Sequence, residues 1–256
     1  MGSGATDTCD RKGQMMLIHV INPNSTASMT DQIGRAARRV ASPGTRIDLV
    51  TAQATPVSIE GYADEALAVP AMLSAIRAAE ARGAAAHVIA CFDDPGLSAA
   101  REVAAGPVLG ICQAAISVAM TLSARFSVVT TLPRSVPIIE DLADAYGAGR
   151  RCRRVRAIDL PVLALEEDPV CAEALIAAEI RAARAEEGAE AVILGCAGMA
   201  ELCDKLSRDT GVLVIDGVTA AVRQAEALVG MGYRTSKLGG YAWPRVKTGG
   251  FAPEAA

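Results

Sequence analysis

The chain has 256 residues, 51% of them hydrophobic and only 3% aromatic, with a formal net charge of −4 and no basic block. That balance excludes nucleic acid and an anionic membrane as natural partners, and favours helices and aliphatic strands over an all-β fold. Seven scattered cysteines, none in C-x-x-C spacing, argue for a reducing, cytoplasmic setting rather than a disulfide framework.

Residues 1–14, "MGSGATDTCDRKGQ", read as a leader outside the fold. Its opening matches the loose myristoylation pattern, but no polybasic second anchor lies nearby and the match is read as chance. Short aliphatic strands are predicted at 15–21, 45–51, 86–90 and 107–111, then at 126–131, 153–159, 190–194 and 212–215. Alanine-rich helical stretches at 26–40, 63–82, 135–147 and 170–187 separate them. An uncharged run at 103–124 is long enough to span a bilayer, but Pro107, Gly110 and Gln113 divide it into a buried strand and a following helix. Strands alternating with helices predict an α/β fold with parallel sheets flanked by helices, binding ligands at the carboxyl ends of the strands. His19 and His87 lie in strand-like runs and read as core residues ahead of metal ligands, so no metal site is assigned.

The chain repeats itself. "LIHVINPNS" aligns with "FSVVTTLPRS", "RIDLV" with "VRAIDL", "IEGYADEALAVPAML" with "EEDPVCAEALIAAEI", "AHVIACFDD" with "EAVILGCAG", and "VLGICQA" with "VLVIDGV". The five matches keep one order at offsets of 104 to 109 residues, which implies two similar four-stranded halves. Cys91 follows the third strand of the first half and Cys196 the third strand of the second. Packing does not require two cysteines at one internal register. If the halves face each other about a pseudo-twofold, the thiols converge on one cleft. There they suit proton removal from one face of a carbon and delivery to the other. A helix after each cysteine would favour the thiolate. After Cys91, Asp94 reads as the N-cap and Pro95 as the first helical residue, with Asp93 and Asp94 pointing outward.

Together "VINPNS", "IACFDDPGL", "RFSVVTTLPRSVPIIEDL", "RVRAIDLPVL", "VILGCAGM" and "VIDGVTAAV" resemble the hydantoin racemases of the aspartate/glutamate racemase superfamily, with allantoin racemases as close relatives. The resemblance runs from about Met16 to the "TSKLGGYAWPRVK" tail. It implies a cofactor-independent racemase with its active site between two α/β domains, catalytic cysteines at Cys91 and Cys196, and a homo-oligomer. The implied layout is a first domain at 15–115 with 219–243 packing back on it, a second at 116–218, and a tail at 244–256.

The neighbours of the cysteines bear on the substrate. Amino-acid racemases of the superfamily usually carry polar residues beside them; here Phe92 and Ala197 give an apolar rim that suits a neutral planar ring. The amides of a 5-substituted hydantoin would pair with Asn22, Ser25 or Thr26 and with backbone at Gly198 and Met199. Asn22 has an equal reading as an Asx-turn residue beside Pro23. Thr130 and Thr131 read either as substrate contacts or as strand-end packing. Gln113 reads as a pocket rim or an exposed loop residue, and Asp216 as a helix cap. Cys112 takes Asp216 as its repeat partner and so lacks the symmetric role, while Cys152, Cys171 and Cys203 read as packing. The arginines between 150 and 156 read as a solvated strand edge. The function expected is racemisation of a small-molecule 5-substituted hydantoin, with allantoin the nearest rival. Less favoured are an amino-acid racemase, a decarboxylase of the arylmalonate type, which lacks the first cysteine, and a non-catalytic binding protein.

Overall fold

The computed structural model describes residues 15–245 and Lys247; the expected leader and most of the expected tail lie outside the described residues. The first half runs β1 (Met16–Asn22), α1 (Ala27–Val40), β2 (Thr45–Thr51), α2 (Tyr62–Ala81), β3 (Ala86–Ile89), α3 (Leu97–Val103), β4 (Val108–Gly110) and α4 (Ile111–Leu122). The second runs β5 (Phe126–Thr130), α5 (Val136–Ala145), β6 (Cys152–Ala157), α6 (Ala164–Glu167), α7 (Pro169–Glu187), β7 (Ala191–Leu194), α8 (Cys203–Thr210), β8 (Leu213–Asp216) and α9 (Gly217–Gly230).

Both sheets are parallel and share one order, β2-β1-β3-β4 and β6-β5-β7-β8. The inner strands β1, β3, β5 and β7 are aliphatic runs because helices cover both their faces. The outer strands β2 and β6 carry the charges. Arg156 on β6 pairs with Glu179, Glu186 and Glu187, and charge along an edge discourages further strand addition. The uncharged run at 103–124 is the end of α3, then β4 and α4, and no helix among the described residues is long and apolar enough to cross a membrane.

The halves meet where α4 packs on α9. Gly217, the first residue of α9, lies so close to α4 that a Cβ there would stand 2.4 Å from the Ile111 carbonyl oxygen. From this crossing α9 returns to the first sheet, touching α1, β1, β3 and β4. The chain beyond it stays there through Thr235 N–H to the Ala105 carbonyl, 3.1 Å, and Lys237 Nζ to the Arg101 carbonyl, 2.6 Å.

The sheet register corrects one detail of the repeat. β3 pairs Ile89 with Gly110 and β7 pairs Leu194 with Asp216, so Asp216 matches Gly110 and not Cys112. The aliphatic runs "VLGI" and "VLVI" fit each other at more than one register, and side-chain pattern alone does not fix the slip. Asp216 does cap α9, accepting from Thr219 N–H at 2.8 Å.

His19 and His87 are fully buried neighbours on β1 and β3, with their Nδ1 atoms 3.1 Å apart. His87 Nε2 lies 2.8 Å from Glu80 Oε1, which already accepts from the Ala105 and Gly106 amides. The carboxylate therefore accepts a hydrogen bond from His87 Nε2–H, leaving His87 Nδ1 to accept from His19 Nδ1–H. His19 Nε2 is then bare, and no partner meets it. Burial is the main cause that lowers the pKa of His19 to about 3.

Candidate active site

The two halves place their cysteines by the same device. Beyond β3 the chain makes one more ladder bond, Ala90 N–H to the Ile21 carbonyl at 2.8 Å; beyond β7, Gly195 N–H reaches the Val129 carbonyl at 2.7 Å. Cys91 and Cys196 come next, at the carboxyl ends of the inner strands. Gly195 sits in close approach, since a Cβ there would stand 3.0 Å from Thr130 Cβ.

Both thiols line one cavity between the sheets. Phe92, Thr130, Thr131 and Ala197 line it too, together with Asn24, Met29, Ile59, Asp93, Ser135 and Val162. The cavity measures about 30 Å³, room for about one water molecule. No Lys, Arg or His is among its lining residues.

The helix expected to start at Asp94 does not. α3 begins at Leu97 behind Gly96, and Asp94 has a left-handed φ of 45° with its side chain turned inward. The Asp94 carboxylate accepts from the Cys112 and Gln113 amides at 3.0 and 2.9 Å and from the Tyr146 hydroxyl at 2.8 Å. It thus caps α4 from a distance. Asp93 is also buried rather than outward, because the tight turn after Cys91 folds it into the cavity wall. After Cys196 the chain makes a 3-10 turn at Ala197–Leu202, with α8 only beyond it. Each sulfur instead receives one amide from two residues on: Asp93 N–H at Cys91, Gly198 N–H at Cys196. Burial outweighs that help. It pushes the Cys91 thiol well up and Cys196 to about 11, with the Asp93 carboxyl adding to both. Burial also raises Asp93 and Asp94 to about 7, although three donors on Asp94 act against it.

Other expected contacts lie outside the cavity wall. Asn22 organises the loop behind it: Nδ2 donates to Asn24 Oδ1 and Thr30 Oγ1, and Oδ1 accepts from Asn24 N–H, the bond of an Asx turn. Ser25 N–H and Thr26 Oγ1 hold the segment 52–61, bonding the Pro56 and Val57 carbonyls at 3.0 and 2.7 Å. That segment brings Ile59 over the cavity, and Glu60 Oε1 crosses to the second half to accept from Val162 N–H at 3.1 Å. Gln113 is on α4 and accepts from Arg101 at 2.6 Å. Gly198 presents backbone to the Cys196 sulfur, and Met199 is buried in the core of the second half. Cys112 and Cys203 are buried, Cys152 is half-buried and Cys171 is exposed. Asn24, Met29, Ile59, Ser135 and Val162 are lining residues that the sequence did not single out, and Asp93 is one it had turned outward. Asn24 and Asp93 carried a signal, as polar residues just past strand ends; the apolar three resemble ordinary core.

Residues 18–225 match the family model described as Asp/Glu/Hydantoin racemase. The hydantoin racemase of Rhizobium meliloti is 66% identical over 232 residues, 91% of this chain and 96% of that protein. The hydantoin racemase of Pseudomonas sp. (strain NS671) is 47% identical over 232 residues, covering 91% and 93%. Among solved structures, the allantoin racemase from Klebsiella pneumoniae superposes with a TM-score of 0.89 at 50% identity, over 91% of this chain and 95% of that one.

Proposed function

Because this chain belongs to the Asp/Glu/hydantoin racemase family, we propose that it racemises 5-substituted hydantoins by moving the C5 proton between Cys91 and Cys196. The observation that carries the reading is the pair of thiols at equivalent strand ends, lining one cavity with no cation among its lining residues. A carbonyl next to C5 acidifies that C–H bond. One sulfur, as thiolate, takes the proton; the C–H electron pair moves into the ring as an enolate. The opposite thiol returns a proton to the other face, and the sulfurs have exchanged states. A free amino acid brings an ammonium and a carboxylate, and such a wall offers the carboxylate no partner charge.

A second reading, allantoin, has the support of the 50% identical allantoin racemase structure. Incubating the chain with one hand of benzylhydantoin, isobutylhydantoin or allantoin in deuterated water tests both. Loss of rotation with deuterium at C5, above the uncatalysed rate, is expected for a hydantoin. Exchange with allantoin alone moves the conclusion to the second reading. Cys91→Ser and Cys196→Ser should each cut racemisation by about a hundredfold or more. Full activity in either variant refutes the two-thiol mechanism.

A further inference from the structure

Asp93 is a buried carboxyl lining the cavity that holds both sulfurs. No hydrogen bond or ion pair engages its carboxyl among the described residues, whereas the carboxyl of Asp94 beside it has three donors. The other groups facing it are acidic or neutral. Glu65 approaches from the first turn of α2, and Cys91 and Cys196 share the wall. Glu60, on the segment over the cavity, adds to the negative field at Cys196. The guanidinium of Arg134 packs against Gly61 and that of Arg101 acts on Asp94; neither lines the cavity.

Turnover puts further negative charge into this space. A thiolate must form, and the electron pair leaving C5 settles on a carbonyl oxygen. That one negative charge, passing from sulfur to oxygen, would be repelled by an ionised carboxylate in a cavity with no cation among its lining residues. The arrangement is relieved if one group is a neutral acid that donates to the new oxyanion. Resting on the hydantoin-type reading, we infer that Asp93 is a catalytic residue that works as a neutral carboxylic acid, donating a hydrogen bond to the substrate carbonyl oxygen as the C5 proton leaves. Asp93 keeps its own proton throughout. The C5 proton goes to the thiolate sulfur, the electron pair goes to the oxygen, and the opposite thiol supplies the returning proton. The Asp94 carboxyl is engaged by its three donors as the cap of α4, whereas that of Asp93 is left to meet the substrate. The same chemistry is known to physical organic reasoning as an oxyanion donor, here made from a carboxyl instead of backbone amides.

The test compares Asp93→Asn, which keeps a donor but does not titrate, with Asp93→Ala, which keeps none. With a 5-substituted hydantoin at pH 7, Asp93→Ala should lose about 10²–10³-fold in kcat with a much smaller change in KM. Asp93→Asn should stay within about tenfold of the parent. The pH profile adds a second readout. With Asp93 raised to about 7, parental kcat/KM should climb as the thiolate forms and level off near there, because each further gain in thiolate is offset by loss of the Asp93 proton. In Asp93→Asn the climb should continue through pH 8 and 9. An Asp93→Asn enzyme as slow as Asp93→Ala, or one whose profile still levels near 7, overturns the role of Asp93. A parent chain that exchanges no C5 proton overturns the functional reading instead, so the two failures are separable.

Discussion

The Asp94 carboxylate occupies the space that a side chain on Gly110 would take: a Cβ there would lie 2.2 Å from its carboxyl atoms. Gly110 matches Asp216 in the sheet register, and Asp216 caps α9 with its own side chain. The first half has moved the cap into the loop that carries Cys91, so one carboxylate both ends α4 and fixes a cysteine. Asp94→Ala leaves two helix amides and the Tyr146 hydroxyl without their acceptor and should cost at least about 1–3 kcal/mol in urea unfolding. Adding Gly110→Asp to Asp94→Ala restores a local cap and should recover part of that stability. It should not restore racemisation, because the Cys91 loop stays untethered.

Gly195→Ala probes the other cysteine. The added methyl meets Thr130 at 3.0 Å in a closely packed strand pair, which a small outward shift of the chain before Cys196 relieves. The expected cost is about 1–3 kcal/mol of stability. A larger proportional loss of kcat than of folded protein, read by near-ultraviolet dichroism beside activity, marks displacement of the sulfur; equal losses count against it.

The bond from Glu60 to Val162 N–H spans the two halves above a cavity of about 30 Å³. The bond ties the segment 52–61, which carries Ile59 on the cavity wall, to the second half. Glu60→Ala removes the acceptor and should speed hydrogen exchange of the Val162 amide about tenfold, as expected for losing roughly 1 kcal/mol of closure. Glu60→Gln keeps an acceptor oxygen and should stay near the parent rate. Unchanged exchange in Glu60→Ala means that other contacts hold the segment down.

His19 links stability to acid. Its folded pKa of about 3 lies below the ordinary 6.5, so below pH 6.5 the unfolded chain binds a proton that the folded chain refuses. This contribution falls as pH drops from 6.5 toward 3, by about 1.4 kcal/mol per pH unit. His19→Gln does not titrate. The difference in unfolding free energy between the variant and the parent should shift toward the variant by that slope on acidification. A difference that is flat with pH rules the linkage out.

The strands and both cysteines were legible because burial on two faces forces aliphatic runs, and because duplication printed the pattern twice. Two features were not. The inward turn of Asp94 depends on an α4 terminus that lies 17 residues further along the chain, and a D-P-G stretch looks like an ordinary cap. Ile59 and Val162 come from loops of opposite halves and meet only after folding, with no periodicity to betray them. Asn22 had two readings in the sequence; its bonds to Asn24 and Thr30 make it the scaffold under the cavity wall.

Asp93 has Gly198 as its repeat counterpart, since Cys91 and Cys196 stand at one register and each of the two lies two residues on. The walls around the two sulfurs are thus unequal, with a carboxyl on one side and bare backbone on the other. The two hands of a hydantoin have the same free energy in water, and no catalyst changes that. Detailed balance then requires kcat/KM to be equal for both hands, however lopsided the walls. The lopsidedness is confined to how each hand divides that ratio: the hand held more tightly must also turn over more slowly, in the same proportion.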